Sequence, residues 1–369
     1  MTCPLGDTSF RAVNTPALRR GWTTGACAAA ATRAAVEGWL TGQFPDPVTI
    51  RLPGGGEAAF ALAENARLPK GAVAAVVKDA GDDPDVTHGA LIRVIVSPGA
   101  PHTGVTFRAG PGVGTVTLPG LPIPPGEAAI NPVPRRMMAE ALAEAAGLFG
   151  GGSDWVVEVS IPGGEVMAER TLNGRLGIRG GLSVLGTTGI VIPFSCAAWI
   201  DSIRRGIDVA RATGLTHVAA ATGRTSELAV QRLYHLPDLA LLDMGDFVGG
   251  TLKYLRRHPV ARVTLAGGLA KMTKLAQGRL DLHSKRGGVD GAALGALAAT
   301  LGADPPLVEQ ISAANTTALA FDLAAHLPLA ATIAAEAHKV AQAVLDDAPI
   351  VLEVLLIDRE GRVVASHQS

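Results

Sequence analysis

Residues 173–195, NGRLGIRGGLSVLGTTGIVIPFS, divide the chain into two patterns, and their reading decides the fold. From Gly174 onward the stretch holds six glycines and two adjacent threonines, and it closes on the apolar run Gly189-Ile190-Val191-Ile192-Pro193. Upstream, the chain reads as short strands, turns and two helices. Downstream, strands and helices alternate. Glycines let backbone approach a ligand with no Cβ in between, so the stretch marks a candidate seam between two halves of an active site.

Working outward toward the C-terminus, 190–193 reads as a strand and 197–213 as a helix. A strand at 217–221, a helix at 226–234, a strand at 239–242, a helix at 248–257 and a strand at 260–265 follow. This alternation predicts a mostly parallel sheet with crossover helices, a Rossmann-like α/β domain. Ligands of such sheets sit at the carboxyl ends of the strands. Those ends carry Phe194-Ser195, then Thr222, Gly223 and Glu227, then Asp243, Gly245 and Asp246, and finally Gly267. A carboxylate there is placed to take ribose hydroxyls, the role expected of Asp243 or Asp246; Thr222 to Glu227 also has the form of a helix cap. Thr187-Thr188-Gly189 falls at the opposite end of its strand and reads as a structural turn. The tail is alanine-rich helix over 304–347 and a closing hairpin of 350–357 with 362–365.

Toward the N-terminus, LRRGWTTGACAAAATRAA at 18–35 predicts a helix capped by Thr23 or Thr24. Pro53-Gly54-Gly55-Gly56 reads as the turn of a hairpin between 48–52 and 58–62, and 73–77 and 91–96 read as buried strands. The loop joining those two strands, KDAGDDPDVTHG at 78–89, carries Asp79, Asp82, Asp83, Asp85 and His88. An exposed acidic turn explains it, since Asp, Gly and Pro form turns. Calcium does not, because the spacing and closing glutamate of an EF-hand are missing. Clustered carboxylates with separated pKa values, suited to acid–base work, are the functional alternative. Gly110-Pro111-Gly112-Val113-Gly114 leads into a strand rather than a helix, which excludes a dinucleotide loop. A helix at 134–148 opens with Arg135 and Arg136, and a strand pair is expected at 155–161 and 165–168.

The 369 residues are too many for one ordinary core, so the chain is divided into a mixed α+β domain at 1–175, an α/β domain at 176–348 and a hairpin at 349–369. A net charge of −1 and 4% aromatics argue against a nucleic-acid partner. No apolar run approaches the ~20 residues of a membrane span. The first residues lack the pattern of a secretory signal, and a cytoplasmic protein is expected. Cys3, Cys27 and Cys196 are spaced for neither zinc nor a disulfide framework, and no metal site is expected. There is no GxxxxGK[ST] loop.

Seven segments resemble the CbiD family of cobalt-precorrin-5B C1-methyltransferases. They are LRRGWTTGACAAAA from Leu18, KDAGDDPDVTHGA from Lys78, GPGVGTVTLPGL from Gly110, PPGEAAINPVPR from Pro124, GIRGGLSVLGTTGIVIPFS from Gly177, TGRTSE from Thr222 and KMTKLAQGRLDLHS from Lys271, in the family's order. The resemblance implies a two-domain architecture and S-adenosylmethionine-dependent methyl transfer to C1 of cobalt-precorrin-5B, giving cobalt-precorrin-6A in anaerobic cobalamin biosynthesis. Cobalt enters only as part of the substrate. Where the family has a glycine-histidine followed by glycine-lysine, this chain reads Gly267-Gly268-Leu269-Ala270-Lys271, so no histidine role carries over there.

On this reading Asp79, Asp82, Asp83 and His88 are the candidates for catalysis. Thr222, Gly223, Glu227, Asp243, Gly245, Asp246 and Gly267 are those for the methyl donor. Arg19, Thr24, Arg135, Arg179, Lys271, Lys274 and His283 are those for a carboxylate-rich tetrapyrrole, with the first domain as the corrinoid side and the second as the donor side. A homo-oligomer or transient contact with other pathway enzymes stays open. The rival functions are a corrinoid carrier without chemistry and a nucleotide-dependent ligase or kinase, the latter weakened by the missing phosphate loop.

Overall fold

The computed structural model describes residues 18–284 and 287–368; Cys3, the N-terminal stretch containing it, and Lys285 lie outside the described residues. The chain forms two compact units. One comprises 1–110, 130–162 and 184–194, the other 111–129, 163–183 and 195–369.

In the first unit, α1 (Thr24–Thr41) is buried along most of its length. Its alanine run explains this, because small side chains let a helix sink among its neighbours. The Thr23 hydroxyl accepts from the Ala26 amide at 3.2 Å, and Gly42 closes the helix with a left-handed φ of 81°. The expected hairpin is present as β1 (Val48–Arg51) and β2 (Glu57–Phe60), paired antiparallel. Next come β3 (Glu64–Leu68), β4 (Gly71–Val77), β5 (Leu91–Pro98), β6 (Val105–Ala109), α2 (Pro132–Phe149) and β7 (Trp155–Ser160). The sheet runs β3-β4-β5-β7-β6, with β7 antiparallel to β5 and parallel to β6. Helix α1 packs on β4, β5 and α2.

Two strand expectations are corrected. The apolar run at 190–193 does not begin the parallel sheet: Ile190–Val191 pairs antiparallel with Gly21–Trp22, so Phe194-Ser195 is not a carboxyl end of that sheet. Residues 165–168 lie within a short helix, Gly164–Ala168. Both are stretches of four residues, too short for periodicity to say which structure or partner recruits them.

The second unit holds the alternation that the sequence shows. Its elements are α3 (Cys196–Ala212), β8 (His217–Ala221), α4 (Arg224–Tyr234), β9 (Leu241–Asp243), α5 (Val248–Arg257), β10 (Arg262–Gly268) and α6 (Leu269–Ala276). After the helices Gly291–Thr300, Pro305–Ser312 and Thr317–Leu323 come α7 (Leu329–Leu345), β11 (Val351–Ile357) and β12 (Val363–Gln368). The sheet order is β9-β8-β10-β11-β12, the first four parallel and β12 antiparallel to β11. The C-terminal hairpin is thus part of this sheet. One face buries Val218, Val263, Leu265, Leu352 and Val354 with α3, α5, α6 and α7; the other buries Ala219, Ala266 and Leu355 with α4. Burial on both faces accounts for nearly continuous apolar strands. Two short ladders tie the remaining segments of this unit together: Gly112–Val113 with Gly181–Leu182, and Thr115–Val116 with Ile178–Arg179.

One buried carboxylate fixes the strand register. Glu353 on β11 lies opposite Thr264 on β10 and accepts from the Thr264 hydroxyl at 2.8 Å, Tyr234 Oη at 2.6 Å and Arg262 Nη2 at 3.1 Å. Glu353→Ala strips all three donors of their acceptor, and a cost of about 2–3 kcal/mol follows. The expected result is a melting temperature lower by several degrees in a thermal scan; an unchanged value would mean that the network carries no stability.

Candidate functional site

Parallel strands bring their carboxyl ends to one edge, and in the second unit that edge gathers most of the donor candidates. The Thr222 amide, just beyond β8, donates to the Ala266 carbonyl at 2.9 Å, and the Met244 and Gly245 amides donate to the Ala221 carbonyl at 3.1 Å each. A Cβ at Gly267 would stand 3.0 Å from Thr222 Oγ1 and 2.5 Å from Met272 Cε, so a side chain there would need the end of Met272 to shift. Lys271, in the first turn of α6, donates from Nζ to the Thr222 carbonyl at 2.7 Å and lies 3.1 Å from Asp246 Oδ1. It therefore ties the end of β8 to the loop after β9. No Cβ added at Gly223 would meet another atom, so that backbone stays open to approach. Asp243 is half-buried, and burial, followed by the nearby Glu227 charge, raises its carboxyl above the usual range; Arg175 and Lys271 oppose the shift.

Glu227 is close by but fully engaged. Arg175 grips both of its oxygens at 2.7 and 2.8 Å, and Arg224 adds a third bond at 2.7 Å. The Arg175 hydrogen bond is the chief reason its carboxyl titrates below the normal glutamate range. Three charge-assisted donors leave it little capacity for a ribose hydroxyl. Among the tetrapyrrole candidates of this unit, Lys274 is buried and donates to the Leu282 carbonyl at 3.0 Å. Arg179 is exposed on its short ladder, and the exposed His283 donates its amide to Asp281 at 3.1 Å.

In the first unit the acidic loop is laced to the segment before α1. The Trp22 amide donates to the Asp79 carbonyl at 2.7 Å, the Asp82 amide to the Arg19 carbonyl at 2.9 Å, and the Arg19 amide to Asp82 Oδ2 at 2.6 Å. The backbones touch: a Cβ on Gly21 would lie 2.0 Å from the Ala80 carbonyl carbon, and one on Gly81, at φ 69°, 2.2 Å from the Arg19 oxygen. Arg19 grips Asp79 with both guanidinium nitrogens and holds its carboxyl at about 2. So acidic a carboxyl is a poor general base near neutrality. Asp83 Oδ1 accepts from the Phe194 amide at 2.8 Å, where Phe194 has a left-handed φ of 55°. Asp85 pairs with the fully buried Lys78, which also donates to Thr87 Oγ1 at 2.6 Å.

His88 is the loop's remaining candidate. Its Nδ1 accepts from the Ala80 amide at 3.1 Å, which places the proton of the neutral ring on Nε2. The ring is 52% exposed, so it presents a donor outward. A cleft of about 370 Å³ in the same unit is lined by Trp22, Phe60, Leu62, Val76, Val77 and Asp79. Thr24 is buried in the first turn of α1. Arg135 donates from Nε to the Ile130 carbonyl at 2.8 Å and lies over the Phe107 ring, 5.3 Å from its centre. Among the described residues no three His, Cys, Asp or Glu side chains group to hold a metal, and no helix is long and apolar enough to cross a membrane.

Two residues at this strand edge escaped sequence reasoning. Arg175 lies inside the glycine-rich stretch, where a cation among glycines was the available signal. Trp199 donates its Nε1 hydrogen to the Asp243 carbonyl at 2.9 Å. It is one of four tryptophans in a chain poor in aromatics.

A strand-edge cluster in one unit and a laced polar loop in the other define the class, a two-unit α/β protein. Residues 11–193 match the family model described as CbiD, and residues 281–368 the one described as CbiD, C-terminal domain. The chain is 61% identical to the cobalt-precorrin-5B C(1)-methyltransferase of Halorhodospira halophila, covering 94% of each chain. It is 61% identical to that of Agrobacterium fabrum, covering 93% of this chain and 91% of the other, and 59% identical to that of Methylorubrum extorquens, covering 96% and 99%. A crystal structure of the cobalamin biosynthesis protein cbiD from Archaeoglobus fulgidus is 26% identical, covering 68% of this chain and 77% of that one, with a TM-score of 0.39. The chain belongs to the CbiD family.

The Glu227 cluster makes a pH-dependent prediction. A depressed carboxyl stabilises the fold above its unfolded value, near 4.3, and loses that contribution as pH falls through the folded value. Glu227→Gln should therefore unfold more easily than the parent at pH 7, with the gap closing below about pH 4. Urea melts across pH check this, and a gap independent of pH would show that the ion pairs contribute nothing.

Proposed function

We propose that the protein transfers the methyl group of S-adenosylmethionine to C1 of cobalt-precorrin-5B, giving cobalt-precorrin-6A, a step of anaerobic cobalamin biosynthesis. The observation that carries the reading is the cluster of Thr222, Asp243, Asp246, Gly267 and Lys271 at one strand edge, in a chain about 60% identical to proteins named for this reaction. The strand order and parallel run of β9, β8, β10 and β11 support a Rossmann-like, doubly wound reading. In such sheets the crevice opens where consecutive connections leave in opposite directions, here between β8 and β10. Thr222 and Gly267 flank that point.

The residues fit an adenosyl ligand. Asp243 offers a half-buried carboxylate to ribose hydroxyls, and Gly223 keeps the backbone approachable. When bound, the donor supplies a sulfonium methyl that passes in line to C1 as its carbon–sulfur bond breaks and the electron pair stays on sulfur. The protein contributes proximity and alignment, worth up to roughly 7–11 kcal/mol in favourable cases, and needs no nucleophile of its own. Lys271 holds the edge together rather than offering a spare charge. On the corrinoid side, His88 Nε2–H is placed to orient an acceptor of the macrocycle, whereas Asp79, Asp82 and Asp83 hold the loop's shape.

Incubation with isotopically labelled donor and cobalt-precorrin-5B should place one labelled methyl on C1 by NMR; recovery of unmodified substrate at high enzyme concentration would leave the carrier reading standing. His88→Ala should lower kcat/KM for the corrinoid roughly ten-fold or more, the scale of a hydrogen bond to a charged group. Affinity for S-adenosylhomocysteine should be unchanged. Unaltered turnover would remove His88 from substrate recognition.

A further inference from the structure

Trp199 stands in the first turn of α3, where the Ser195 hydroxyl caps the helix by accepting from the Ala198 amide at 3.4 Å. Three contacts fix its ring. The indole's one donor is spent on the Asp243 carbonyl at 2.9 Å. Gly245, at φ 57°, lies against the ring so closely that a Cβ would stand 3.4–3.5 Å from Cζ2, Cε2 and Nε1. Phe247 backs it, ring centres 6.2 Å apart at 49°. Yet the residue remains 46% exposed. A tryptophan serving only as packing buries most of its large apolar surface. Here a ring held on several sides leaves area free at the strand end that carries Asp243, whose main-chain carbonyl it bonds. Flat, rigid aromatic area next to a carboxylate is what a purine nucleoside requires, since stacking accepts any base and the carboxylate takes the sugar.

We propose that Trp199 is the platform on which the purine of the methyl donor stacks, with the ribose reaching Asp243. This rests on the methyltransferase reading and assigns the donor's base a place that the strand-end residues leave open. Gly245 fits this role: a Cβ there would only touch the ring, but its φ of 57° strains any residue other than glycine.

The test is calorimetry and tryptophan emission with S-adenosylhomocysteine on the full chain, its Trp199→Phe and Trp199→Ala variants, with ligand-free melting temperatures for each. The parent should bind and lose part of its emission. Trp199→Ala should bind roughly ten-fold or more weakly, the scale of one stacked base. Trp199→Phe should bind within a few-fold of the parent while that emission change disappears. Equal affinity of parent and Trp199→Ala overturns the platform alone and leaves the donor reading intact. Failure of the parent to bind S-adenosylhomocysteine overturns the donor reading and the platform with it. If Trp199→Ala does not fold, Trp199→Phe decides: an emission change that survives comes from another tryptophan and refutes the assignment.

Discussion

Strands that run in the same direction must end at the same edge, and the polar cluster of the second unit depends on that constraint. The edge leaves backbone groups of Thr222, Asp243 and Gly245 beyond the last ladder bonds, and side chains consume some of them at once. Lys271 takes the Thr222 carbonyl, Trp199 takes that of Asp243, and the Ala221 carbonyl serves the two amides that follow β9. What stays open is the Gly223 backbone and the Asp243 carboxylate. The edge is polar because parallel strands end there, and most of that polarity is already committed to internal bonds.

The buried charged residues of this molecule act as structural ties. Glu227 is held by two arginines, Lys78 by Asp85 and Thr87, and Glu353 by three donors. Removing one partner from such a set leaves an uncompensated polar group, so each set persists whole. The exposed Arg19–Asp79 pair works differently: it closes a loop whose backbone amides are already bonded across to the segment at 19–22. The aspartates there are numerous because several backbone and side-chain donors converge on one loop.

Much of the second unit was legible in the sequence. Strands buried on both faces give unbroken apolar runs, and the helices between them follow by alternation, so β8, α4, α5 and β10 appear close to their expected places. The candidates for the donor edge followed from the same pattern, since strand ends are read directly from strand positions. The failures share a cause. Residues 190–193 and 165–168 are stretches too short to specify their structure; the first took a partner from distant sequence, Gly21–Trp22, and the second folded into a helix. The roles of Arg175 and Trp199 were hidden because they depend on which side chain folds back onto which strand end, a tertiary fact with no local spacing. Likewise the acidic loop advertises carboxylates, but only three-dimensional contacts tell that Asp79, Asp82 and Asp83 are occupied with arginine and backbone amides.

The crossing of Gly21 and Gly81 has a consequence for how such a chain can diverge. At each position the obstacle to a side chain is main chain: the Ala80 carbonyl carbon for one, the Arg19 oxygen for the other. Overpacking against a side chain can be relieved by trimming the neighbour, as core repacking does. Main chain offers nothing to trim. Substitution at one glycine therefore has no compensating partner at the other, and the two positions are expected to be lost independently and restored only by reversion. A lineage that moves this loop must reroute the whole acidic segment, taking Asp79, Asp82 and His88 with it.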